Sequence, residues 1–122
     1  MAGDVWKLKV FQRAYRLSLE LHRASLDWPR VEQYGGVAEQ LRRASKSVCA
    51  LLVEGAGRQP ASDAEFARYV MMAIGSADEA RLWCHYAADL AFVPRETAQL
   101  WQDELSEIAR MLQGLRARVS EN

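Results

Sequence analysis

Apolar residues recur along this chain at spacings of three and four, in four long stretches separated by short breaks. Such spacing lines side chains along one face of a helix. The first stretch runs from about Lys7 to Leu26, with Val10, Ala14, Leu17 and Leu21 in line and Phe11 beside them. Asp27-Trp28-Pro29 stops it, because a residue before proline is biased away from helical geometry. The second stretch covers about residues 34–55, with Val37, Leu41, Ala44, Val48 and Leu51 as its stripe. Gly35-Gly36 weakens its beginning. Gly55 and Gly57 are expected to end it by adopting the left-handed conformation that terminates helices.

The third stretch covers about residues 63–90. Ser62 and Glu65 have the spacing of a capping box, so Ser62 is the expected N-cap. Phe66, Val70, Ala73, Ala77, Ala80, Cys84, Ala87 and Ala91 keep a strict four-three rhythm, and this seam is mostly alanine. The fourth, about 94–119, opens at Pro94, which suits a first helical turn. Its stripe is bulky: Trp101, Leu105, Ile108, Leu112, Leu115 and Val119. Large residues on one helix complement small ones on another and allow close approach. Four amphipathic helices joined by short loops predict an all-α fold, an antiparallel up-down-up-down four-helix bundle. Residues 1–122 fit one domain, with no strand, repeat or low-complexity segment.

Helices 2 and 3 each carry a second line at three-four spacing. On helix 2 it is Gln40, Arg43, Ser47, Ala50 and Glu54; on helix 3 it is Tyr69, Met72, Ser76, Glu79 and Trp83. A line that is neither apolar nor fully charged suits a partly buried contact between helices or subunits. Glu54 is badly placed for the macrodipole of a helix ending at Gly55, so something beyond local helix stability should explain it. The expected pattern is a polar seam or interface of Gln40, Arg43, Ser47, Glu54, Gly55, Gly57, Arg58, Ser76 and Glu79. In it Arg43 pairs with Glu79 or Glu54. A ligand or catalytic site is the alternative for the same line.

Composition adds less. Half of the residues are hydrophobic and three are proline, which excludes a disordered chain. The formal net charge is zero. It is uneven, however: residues 1–58 hold ten Lys/Arg against six Asp/Glu, and residues 59–122 hold six against ten. That asymmetry suits a face of one subunit meeting the opposite face of another. Lys7, Lys9, Arg13, Arg16, Arg42 and Lys46 are candidate nucleic-acid contacts, with Trp6, Tyr15 and Trp28 as candidate stacking partners if exposed. Cys49 and Cys84 lie in apolar helical surroundings and read as free thiols. The only histidines, His22 and His85, do not follow a Glu at the di-iron spacing, so no metal is expected. Gly55-x-Gly57 closes a helix and does not open one after a strand, so it is not a phosphate loop. No catalytic residue and no cofactor are expected. No run approaches the ~18 apolar residues of a membrane span, and no signal peptide is evident, which leads to a cytoplasmic expectation.

One ordered set of residues carries a resemblance across nearly the whole chain. It consists of Leu8-Lys9-Val10-Phe11-Gln12, Trp28-Pro29, Gln40-Leu41-Arg42-Arg43-Ala44 with Ser47, and Glu54-Gly55-Ala56-Gly57-Arg58. Glu65-Phe66-Ala67-Arg68-Tyr69 and Gly75-Ser76-Ala77-Asp78-Glu79 complete it. In these the chain resembles the bacterial four-helix-bundle proteins first noted in intervening sequences of large-subunit ribosomal RNA genes. It departs from them at Cys49 and Leu51, where the family usually has proline and asparagine. The resemblance implies a non-enzymatic bundle that assembles as a homopentamer, with RNA as a candidate partner. A related branch, the accessory variability determinants of diversity-generating retroelements, binds a reverse transcriptase and its template RNA. Members of that branch tend to be strongly basic, and this chain is not.

Overall fold

The computed structural model describes residues 2–120. Four helices form the fold: α1 (Lys9–Ser25), α2 (Val37–Arg58), α3 (Asp63–Asp89) and α4 (Arg95–Ser120). Short 3-10 turns at Ala2–Lys7 and Arg30–Gln33 precede α1 and α2. Each helix packs on the next, and α4 closes onto α1, while α1 and α3 lie diagonally apart, with no Cα atoms within 8 Å of each other. This is an up-down-up-down four-helix bundle, and the described residues include no strand.

The expected stripes form the core. Val10, Phe11, Ala14, Leu17 and Leu21 of α1 are buried, as are Trp101, Leu105, Ile108, Leu112, Leu115 and Val119 of α4. Between them lies the alanine seam of α3, in which Ala73, Ala77, Ala80, Cys84 and Ala87 have no exposed surface. Small residues there bring α3 close to α2 and α4, and the bulk of Trp101, Ile108 and Leu112 fills the remaining space. On α2 the stripe continues from Val48 to Leu52 and Ala56, both buried, and not to Leu51, which is half-buried.

The α1–α2 corner is pinned by polar groups. Trp28 is buried against Phe92 and Trp101, at ring-centroid distances of 5.8 and 6.4 Å. It is therefore no stacking platform for a ligand. Arg42 donates to Ser25 Oγ (2.8 Å) and to Gln33 Oε1 (2.9 Å), while Gln33 donates to the carbonyls of Ser25 and Trp28. Gly35 takes a φ of 81°, which lets the chain turn into α2. Glu32 then accepts from the Val37 N–H at 2.7 Å and satisfies one of the open donors of that helix.

Two helix ends differ from expectation. First, α2 does not stop at Gly55: it continues through Gly55 and Gly57 to Arg58, and neither glycine has a positive φ. Second, Ala91 is not a core residue. It is exposed at φ 64°, just past the end of α3. The Phe92 N–H reaches the Ala87 carbonyl (2.8 Å) and the Ala91 N–H reaches that of Ala88 (3.0 Å). These two bonds form a Schellman cap with alanine where glycine is usual. At the other end of α3, Ser62 Oγ accepts from the Glu65 N–H at 3.1 Å, as expected. The Glu65 carboxylate does not complete the box, because it binds Arg68 instead.

Candidate functional site

The residues that singled out the α2–α3 region converge on Tyr69. Gly55 is buried, and a Cβ there would stand 2.6 Å from Tyr69 Cβ and 3.1 Å from Phe66 Cδ1. Only the absence of a side chain lets α3 come this close to α2. Tyr69, itself buried, then reaches Glu54, donating its hydroxyl to Oε2 at 3.2 Å. Arg58, one turn further along α2, donates to the same oxygen at 3.4 Å. The Arg58 and Arg68 guanidinium carbons each lie 5.0 Å from the Tyr69 ring centroid, so two cations face one ring. Glu65 accepts from Arg68, and this bond holds the Glu65 carboxyl below the usual carboxylate range. The macrodipole problem at Glu54 is met locally, because α2 runs one turn further and Arg58 and Tyr69 both bind the carboxylate.

Further along the seam, Ser76 Oγ donates to Ser47 Oγ at 3.1 Å and ties the middles of α3 and α2 together. Glu79 accepts from Trp83 Nε1 at 3.0 Å within α3. Arg43 is exposed and pairs with neither Glu54 nor Glu79, which corrects that expected pairing. Helix rotation turns Arg43 outward, whereas Ser47 is half-buried against Ser76. Gln40 is half-buried beside Leu41, and Gly57 is open, with nothing within 4 Å of where a Cβ would stand.

The candidate nucleic-acid contacts divide. Arg16 and Lys46 are exposed on the α1–α2 side, Lys7 is exposed ahead of α1, and Lys9 is exposed beside Met111 and Gly114 of α4. Arg13 is not free, since it makes a two-pronged bond to Glu104 at 2.8 and 2.6 Å, and that bond raises its pKa. Arg42 is consumed by the corner described above. On the same side Trp6 packs edge-on against Phe11 and Tyr15 while remaining 57% exposed. A hollow of about 360 Å³ opens beside it, lined by Tyr15, Cys49, Ala50 and Val53 among others. His22, facing Lys46 and Arg42 of α2, has a pKa below its ordinary value. Burial is the main cause, and Lys46, Arg42 and Arg23 add to it.

The chemistry available is limited. Burial pushes the Cys49 thiol up to about 11 and that of Cys84 to about 12, so both are protonated and poor nucleophiles at neutral pH. Among the described residues no three His, Cys, Asp or Glu side chains gather as a metal site would require. Nor, among the described residues, is any helix long and apolar enough to cross a membrane. Sequence reasoning missed the role of Tyr69 as the hub. Its signal was the pairing of a glycine on α2 with an aromatic on α3, and that pairing is invisible until the two helices are in register.

Fold and site together define a helical-bundle protein whose distinctive residues join helix to helix. The family model described as 23S rRNA-intervening sequence protein matches residues 6–114, and the chain belongs to that family. Among solved structures, the chain is similar to the crystal structure of a protein with unknown function from the S23 ribosomal protein family of Bacteroides thetaiotaomicron VPI-5482. The TM-score is 0.75 at 17% identity, covering 88% of this chain and 97% of that one, a likeness of fold. No curated protein matches the chain.

Proposed function

We propose that this protein is a non-enzymatic, homo-oligomeric scaffold, a pentamer, that associates with RNA. The supporting observation is the outward side of α3. Met71, Met72, Leu82 and Tyr86 are each between 42 and 49% exposed there, on a helix whose other side is core. A helix apolar on both sides is one that expects cover on both sides. The Tyr69 hub and the Ser47–Ser76 bond fix the angle between α2 and α3, and so fix how that surface is presented. Sedimentation velocity tests the reading. A species of about five subunits is expected, and a monomer at all concentrations would overturn it.

The RNA part is supported by the exposed cations Lys7 and Lys9 at the start of α1. Delivery of RNA to a reverse transcriptase is the more specific version of this reading. Fluorescence anisotropy with a labelled single-stranded RNA is expected to show binding that weakens steeply between about 50 and 200 mM salt. Salt-insensitive binding, or none at low salt, would count against it.

A further inference from the structure

The outward surface of α3 has a period of its own. Met72, Gly75, Glu79, Leu82 and Tyr86 follow spacings of three, four, three and four. They form a second seam on the side of α3 away from Phe66, Val70, Ala73 and Ala77. Gly75 lies exposed in this seam with nothing within 4 Å of where a Cβ would stand. It leaves a notch between Met72 and Glu79, the kind of hole that receives a knob in helix packing.

A second apolar surface lies across the molecule. Trp6 (57% exposed), Tyr15 (42%) and Val53 (45%) stand out on the α1–α2 side, with Arg16 and Lys46 exposed beside them. Tyr15 stands on the helix diagonally opposite α3, and Val53 stands on α2 between them. The helices α1 and α3 also differ in charge. Helix α1 carries four basic residues against one acid, and α3 carries five acids against two basic residues. One surface projects aromatic knobs with Arg16, Lys46 and Glu54 around them, and the other is an apolar seam with a notch, with Arg68 against Met72 at one end and Glu79 at its centre.

We infer that the α1–α2 surface of one copy docks on the outward seam of α3 in the next copy, head to tail, with Trp6 and Tyr15 seated near Gly75 and Arg16 or Lys46 facing Glu79. The inference rests on the homo-oligomer reading above and specifies its contact. Two different, complementary patches are what a closed ring with more than two subunits requires, because each subunit must offer one patch forward and another back. Opposite charge sets the direction of docking and disfavours like-to-like pairing.

Mixing two interface-deficient variants tests this. Tyr15→Glu spoils only the first surface and Leu82→Glu only the second, and both positions are about half exposed, so the bundle should tolerate them. Sedimentation of either variant alone should show a monomer. The equimolar mixture should form a dimer and nothing larger, because only one intact pair of surfaces remains. If either variant loses helicity by circular dichroism, Arg16→Glu and Glu79→Arg replace them, with the combined swap restoring the oligomer. A mixture that stays monomeric, or single variants that keep the wild-type mass, would overturn the pairing while leaving the oligomer reading intact. A wild-type monomer would overturn both. A Tyr15→Glu protein that keeps its mass but loses single-stranded RNA binding would assign that surface to RNA and overturn the docking.

Discussion

His22 shows how neighbours on two helices set one side chain's behaviour. Its Nδ1 is buried without a partner, and Lys46, Arg42 and Arg23 surround it, so the native state resists protonating it. Its folded pKa lies below the ordinary 6.5. Between the two pKa values the unfolded chain holds more protons, so stability rises with pH there. The contribution is complete above about 6.5 and is lost as pH falls toward the folded value. The melting temperature is therefore expected to drop on acidification from 6.5 downward, and His22→Gln should flatten that part of the profile. Thermal melts at a series of pH values check this, and identical profiles for both proteins would refute it. Glu54, in contrast, is half exposed, and its pair with Arg58 contributes under about 1 kcal/mol. Its position matters for orienting Tyr69 more than for raw stability.

Between helices, the determining feature is the closeness of α2 to α3 at Gly55. Gly55→Ala would put a methyl 2.6 Å from Tyr69 Cβ, an atom fixed to the α3 backbone, so the helices must separate. Overpacking of this kind costs about 1–3 kcal/mol. Urea denaturation should show that loss, whereas Gly57→Ala, in open space, should stabilise the helix slightly. The end of α3 offers the opposite case. Ala91 holds a left-handed conformation that strains any residue with a Cβ. Ala91→Gly should raise stability by up to about 1 kcal/mol, and the same denaturation experiment would read it as a higher midpoint with an unchanged slope.

At the scale of the whole molecule, charge is segregated although it sums to zero. Basic residues predominate on α1 and acids on α3, and these helices sit across the bundle from each other. If opposite faces meet between copies, screening should weaken the assembly. The oligomer is expected to dissociate at lower dilution when salt is raised from about 0.1 to 1 M, where the screening length falls from about 10 to 3 Å. Sedimentation at both ionic strengths would measure it, and tighter assembly at high salt would point to a purely apolar contact instead.

The four helices, most of their buried stripes and the Ser62 cap were legible because they depend on residues three or four apart. The helix itself brings such neighbours together, whatever the rest of the chain does. What the chain's pattern left undecided involves partners far apart in sequence: Arg13 with Glu104, Arg42 with Ser25, Ser47 with Ser76, and Tyr69 over Gly55. Each depends on the rotation and offset of one packed helix against another, which small shifts in a close-packed core decide. The run from Glu54 to Arg58 illustrates both halves. Its glycines announce an unusual place in the chain. Only the arrival of α3 turned the first of them from a helix stop into a contact.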